Sequence, residues 1–399
     1  MTLSLYLIWV ACIAIAPLYN ILGERMILIG LLLPIILRRK MRVEKGVAAY
    51  VIPFMLFFGI KLIFAINGYN AVSSFHSIYT LAFGMLELAI LFMFIGSCNF
   101  SSIIDNDINK RRIRAFIIIS FYGSLLASII LMLIRGRDFY RLNLASGGIF
   151  AAPQFFLLIA IVMAMALTYE AIKNRNRRIL NIVLIVIGFI YILLANYTTQ
   201  LIFYIFAVLL VTVLTAMDTT VKKVFGVIVL AAFTVFAVNR LPDFIYWVNN
   251  RFFSQNYTMH MRLNEIYTLL RFGDAGRDLN GRFDLMSTSF GTFKEHWLLG
   301  VPFSKYNTVN TGIIVGDHSE WVDDLARYGA IGSLLFAIFS IKGIKTIFME
   351  FRLNKTMIIS YTILIGLYGF ANPIIKIFLL CGLVLASSIL ACSEETIIE

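Results

Sequence analysis

Residues 316–332 read GDHSEWVDDLARYGAIG, a histidine and a group of acids running straight into glycine-spaced apolar sequence. Asp317 followed three residues later by Glu320 has capping-box spacing. It predicts a helix that starts at His318 and continues through Trp321, Leu325 and Tyr328. The apolar run beyond it, 326–346, has the roughly 20 residues that a bilayer crossing requires. The local unit is therefore a charged helix start at the mouth of a membrane span.

Runs of the same apolar kind recur from Leu3 almost to the end of the chain. Hydrophobic residues make up 60% of the sequence and charged ones 14%, against roughly 25% charged in soluble domains. Mean hydropathy is +0.87. The chain reads as an all-α, polytopic membrane helix bundle, with no separate soluble domain. The first apolar run passes into a second after only Gly23, Glu24 and Arg25, so it reads as a retained span rather than a cleaved signal. Cys12, Cys98, Cys381 and Cys392 lie in or beside apolar runs without CxxC spacing, which predicts packing residues rather than disulfides or a zinc site.

The net charge of +12 does not point to nucleic acid, because its positions follow the spans. Basic clusters stand at 38–45, 110–114, 173–178, 222–223 and 342–355. Every second loop is basic, the pattern that sets orientation in a membrane. With those loops cytoplasmic, about twelve spans result: 3–22, 25–37, 47–66, 78–98, 113–134, 149–169, 179–197, 199–216, 224–239, 326–346, 357–371 and 374–392. Both termini are then cytoplasmic. The predicted organisation is a bundle over 1–239, a long extracytoplasmic loop with short helices over 240–325, and a last group of spans with a short tail over 326–399.

Two outside segments carry unexpected positive charge: 135–148, RGRDFYRLNLASGG, and the long loop. Their bases differ in kind from the cytoplasmic ones. The five cytoplasmic clusters hold ten Arg and nine Lys, whereas the outside segments hold nine Arg and only Lys294 and Lys305. A guanidinium grips phosphate or carboxylate at two points and an ammonium does not. The set points to an anionic ligand, with ordinary Arg–Asp pairing as the plainer alternative for any one of them.

Within 280–306, NGRFDLMSTSFGTFKEHWLLGVPFSKY, a Gly-Arg turn at 281–282 is expected to precede an amphipathic helix bearing Phe283, Met286, Phe290 and Phe293. That helix would lie against the bundle or in the interface and hold Arg282 at a fixed height. His318, with an ordinary imidazole pKa of about 6.5, suits proton abstraction from a hydroxyl. His296 reads as interfacial. The DND at 105–107 reads as a solvated turn. Lys61 and Glu87 lie at similar depth in neighbouring spans and are expected to pair structurally.

An Arg in a Gly-Arg context, an aromatic-rich helix, HWLLGVP, and then His318 leading LARYGAIG into a span together resemble the bacterial O-antigen polymerase and ligase superfamily of membrane glycosyltransferases (Wzy-type and WaaL-type). RLNLASGGIFAAPQFFLLIA at 141–160 is similar to that group's pattern at a middle span. The resemblance implies a GT-C-like bundle in the bacterial inner membrane with a periplasmic active site. It also implies metal-independent, cofactor-free transfer of a glycan from an undecaprenyl-diphosphate-linked oligosaccharide to a sugar hydroxyl. His318 would be the base. Arg282 and Arg141 would stabilise charge on the departing diphosphate, with Arg137, Arg277 and Glu320 completing the substrate contacts.

A polysaccharide chain-length regulator is an open partner on this resemblance. Many ligases have a Ser-Arg pair where this chain has NYTTQLIF, 196–203, which favours a polymerase over a ligase. A flippase or transporter of the same lipid-linked glycan is the alternative from another class. It would place functional charge near the midplane instead.

Overall fold

The computed structural model describes residues 3–21, 45–68, 88–90, 106–135, 151–195, 197–217, 242–255, 257–272, 276–301, 315–316, 318–372 and 376–392. Among them every regular element is helical. The helices are α1 (Leu3–Ala14), α2 (Lys45–Gly68), α3 (Asp107–Arg135), α4 (Phe156–Lys173), α5 (Arg178–Ala195) and α6 (Thr198–Ala216), followed by α7 (Tyr257–Phe272), α8 (Gly276–Glu295), α9 (Glu320–Glu350), α10 (Lys355–Ala371) and α11 (Lys376–Ala391). By length and composition, five of them can cross a membrane: α3, α4, α5, α6 and α9. Shorter apolar helices lie within α2, α10 and α11. The expected spans at 25–37 and 224–239 fall outside the described residues, as does 78–98 apart from 88–90.

Helix α4 is the centre of the bundle. Every residue from Phe156 to Leu167 is buried, as suits a helix apolar on all sides. Helices α11, α6 and α5 surround it. Helix α11 packs on it with Gly382 facing Ile159, where an added Cβ would stand in ordinary contact at 3.4 Å from Ile159 Cα; small residues suit helix packing in lipid. The outward faces are aliphatic. Ile52, Leu56, Ile60 and Ile63 on α2 and Leu334, Ile338 and Ile341 on α9 are all exposed, a surface that fits lipid rather than water.

Helix α4 begins at Phe156, not near 149 as the hydropathy suggested. Pro153 disfavours helix in the residue before it, and residues 151–155 instead form a turn held from outside. Ala152 N donates to Ser128 Oγ at 2.9 Å, and Asn20 Nδ2 donates to Ala151 O at 2.8 Å. Ser124 similarly bridges the break before Pro17. Its hydroxyl donates to Ala14 O and accepts from Ala16 N, both at 3.0 Å.

One end of the bundle gathers the described basic residues of 110–114, 173–178 and 342–355. There Arg114 of α3 donates to Glu170 of α4 and to Asn181 of α5, each at 3.0 Å, and Arg177 adds a contact to Glu170 at 3.3 Å. The α9–α10 connection closes the same end. Arg352, with φ 50°, and the bond from Leu353 N to Phe348 O at 2.9 Å stop α9 in a left-handed turn. Asn354 then caps α10 through Met357 N at 2.9 Å. The expected turn at 105–107 holds where it is described, with Asn106 Oδ1 accepting from Ile108 N at 2.9 Å as α3 starts.

Candidate functional site

At the opposite end of the bundle, α8, the start of α9, the end of α10 and the start of α11 converge. Helix α8 begins at Gly276, so Gly281 and Arg282 lie inside it rather than in the expected turn. Leu279, Phe283 and Met286 carry the helical spacing through Gly281, and a lone glycine in such a pattern is tolerated. The expected packing face holds in part: Phe293 packs beside Val301, Val315 and Ala326, and Met286 is half-buried. Phe283 and Phe290 are exposed, whereas Ser289 and Thr292 are buried and Leu285 is half-buried.

Ser289 is the hinge of this packing. Its hydroxyl donates to Asp323 Oδ1 at 2.5 Å and accepts from Gly316 N at 2.8 Å. Gly316 itself lies so close to α8 that a Cβ would strike the Leu285 carbonyl. The chain then bends at His318, which is half-buried. Arg282 stands two turns, or about 10 Å along the axis, before Ser289 in α8.

Helix α9 starts at Glu320, with Ser319 as its N-cap, not at His318. Asp323 Oδ2 accepts from Ser319 N at 3.1 Å, so the helix starts two residues later than the Asp317–Glu320 box predicted. Glu320 is drawn away by charge: Lys376 of α11 forms an ion pair with it, and a second with Asp324 at 3.0 Å. All three side chains are at most 14% exposed, and Lys376 also stands 4.7 Å from the Phe336 ring centre. Asp324 Oδ2 is buried and has no hydrogen-bond partner among the described residues. The end of α10 completes the seat. Trp321 Nε1 donates to Gly366 O at 2.8 Å, and Trp321 fills the space over Gly369, where any Cβ would collide with the indole.

Helix α9 is broken at Gly329, with φ 62° and ψ −173°. Residues 296–301 enter the break. Ala330 N donates to Trp297 O at 2.7 Å, Ile331 N to Leu298 O at 3.2 Å, and Val301 N to Ala326 O at 3.0 Å. Gly300, with φ 68°, stacks on Gly329 backbone to backbone; a Cβ on Gly300 would be 2.5 Å from Arg327 O. Lys61 of α2 reaches into the same place and donates to the carbonyls of Leu299 (2.7 Å), Val301 (2.9 Å) and Arg327. The expected partner Glu87 lies outside the described residues.

No protein-family model matches the sequence, and no curated protein matches it. The placement of the predicted residues therefore carries the functional reading. His318, Glu320 and the Arg282-bearing helix meet at one end of the bundle. Arg277 sits in the first turn of the same helix. Arg137 and Arg141 lie outside the described residues. Glu320, expected among the substrate contacts, is committed to Lys376.

Sequence reasoning missed Lys376, Asp323, Asp324 and Ser289 as members of this cluster. Lys376 left a signal, being a lone cation at the start of an apolar run. Ser289 left none, because its partners are 27 and 34 residues away.

Proposed function

We propose that the chain is a metal-independent membrane glycosyltransferase that joins polyprenyl-diphosphate-linked oligosaccharide repeat units on the outer face of a bacterial inner membrane. The observation that carries this reading is the Ser289 junction. It seats the helix that carries Arg282 and Arg277 in its sequence on the segment that carries His318, which supports a reading in which a base and arginines act at one end of an apolar bundle.

In this reading His318 takes the proton of an acceptor sugar hydroxyl as that oxygen bonds to the anomeric carbon of the donor. The bond from that carbon to the diphosphate breaks, and its electrons leave with the diphosphate. Arg282 and the other outer arginines bear the charge that grows there. One well-placed donor in such a role is worth roughly 3–4 kcal/mol. The 196–203 segment supports polymerase over ligase. Where ligases carry their Ser-Arg pair, Gln200 is buried and bonded to the Tyr368 hydroxyl at 3.5 Å, a neutral contact without an arginine.

The test is His318→Ala in cells that depend on this chain for surface polysaccharide. The variant is expected in the membrane at normal level, with long chains lost and single-unit product retained. A normal ladder of chain lengths removes His318 as the base.

A further inference from the structure

A helix broken inside an apolar bundle leaves backbone groups that apolar side chains and lipid cannot satisfy, each at a cost of several kcal/mol. Around Gly329 five of these groups are matched. Trp297 and Leu298 carbonyls take the amides of Ala330 and Ile331, Val301 N takes Ala326 O, and Ser333 Oγ donates to Asp324 O at 3.2 Å. The Arg327 carbonyl goes to Lys61, which also holds Leu299 O and Val301 O.

An ammonium has three protons and no acceptor, so it fits three converging carbonyls. A planar guanidinium presents its donors as a fork and does not. The height of Lys61 is fixed by packing one turn earlier, where the Phe57 ring fills the space over Gly332 and a Cβ there would collide with it.

We infer that Lys61 is a positioning residue: its ammonium locks segment 296–301 into the break of α9 and thereby fixes how α8 sits beside His318. Helix α8 ends at Glu295, only five residues before Gly300. It is therefore held at two places, the Ser289–Asp323 bond and the Lys61 lock. Releasing the lock leaves Ser289 as a pivot, and Arg282, two turns beyond that pivot, shifts relative to His318. The lock stands on geometry alone; its consequence for turnover rests on the glycosyltransferase reading.

The experiment compares wild type, Lys61→Met, Lys61→Arg and Lys61→Gln in liposomes. Hydrogen exchange at Val301, Ala330 and Ile331 is measured alongside elongation of a synthetic polyprenyl-diphosphate repeat unit. Lys61→Met is expected to lose protection at those three amides on the order of 100-fold, the scale of one or two charge-assisted hydrogen bonds, while α4 amides keep theirs. Turnover falls tenfold or more with the apparent KM for the carrier-linked unit unchanged.

Lys61→Arg behaves like Lys61→Met, whereas Lys61→Gln, a neutral donor, falls between Met and wild type. Unchanged protection in Lys61→Met overturns the lock, and lost protection with full turnover overturns the positioning role. If Lys61→Met loses α4 protection as well, Lys61→Gln decides by the same two readouts. A wild-type protein that never elongates the unit removes the glycosyltransferase reading and leaves the lock to be judged on protection.

Discussion

Replacing Lys376 with Met removes a cation that pairs with both Glu320 and Asp324 while keeping most of the side chain's apolar volume. The carboxylates are 7% and 4% exposed at the side chain, so solvent screens little of the loss. Breaking a buried pair by removing one partner costs about 3–5 kcal/mol, because a charge stays behind without compensation. Two carboxylates share this ammonium, and the higher end of that range is expected. Neutralising the partners as well should recover most of it: Lys376→Met with Glu320→Gln and Asp324→Asn removes the stranded charges.

The buried thiols of Cys381 and Cys392 give a built-in assay. A thiol-reactive dye reports their exposure during denaturant titration in detergent. A loss below about 1 kcal/mol in the single variant, the size of a surface ion pair, would refute the assignment of Lys376 as the shared cation. So would a triple variant no more stable than the single one.

Gly329→Ala should destabilise by more than about 2 kcal/mol, because it adds the left-handed penalty of about 1–2 kcal/mol to a Cβ placed 2.5 Å from the Leu298 carbonyl. Gly281→Ala and Gly291→Ala on α8, with nothing within 4 Å of the added carbon, should instead gain roughly 0.5–1 kcal/mol. Equal effects at all three positions would deny the backbone contact at the helix break. Ser289→Ala should cost about 1–3 kcal/mol through the stranded Asp323 oxygen and Gly316 amide, and should raise protease cleavage within α8. Ser289→Thr, which keeps the hydroxyl, should restore most of that protection.

The helical class and the apolar spans were legible because lipid demands long apolar runs with internally satisfied backbones. The described ends of α2, α5, α6 and α10 fall within a few residues of their expected positions. The sites of disagreement have local causes. Pro153 delays α4, the pull of Lys376 on Glu320 moves the start of α9 past His318, and glycine at 281 is absorbed into α8.

The break at Gly329 was hidden inside an unbroken apolar run, since its requirement for positive φ arises from a segment thirty residues upstream. The candidate site was legible as residue types, a histidine and arginines, in the segments that form α8 and the start of α9. Its framework of Ser289, Asp323, Lys376 and Lys61 was not, because each bond joins segments far apart in sequence and no local spacing encodes it. Arg114 was legible only as a member of the 110–114 basic cluster, and Glu170 was not singled out. Their mutual pairing depends on α3 and α4 meeting at the bundle end.

The most direct measurement is reconstitution. Purified protein in liposomes is given a synthetic polyprenyl-diphosphate repeat unit and no nucleotide sugar, and products are separated by chain length alongside a His318→Ala control. Carrier-linked oligomers of two or more units from wild type, and none from the variant, are the predicted result. Movement of the unit across the bilayer without any new glycosidic bond would contradict the glycosyltransferase reading and make the chain a carrier.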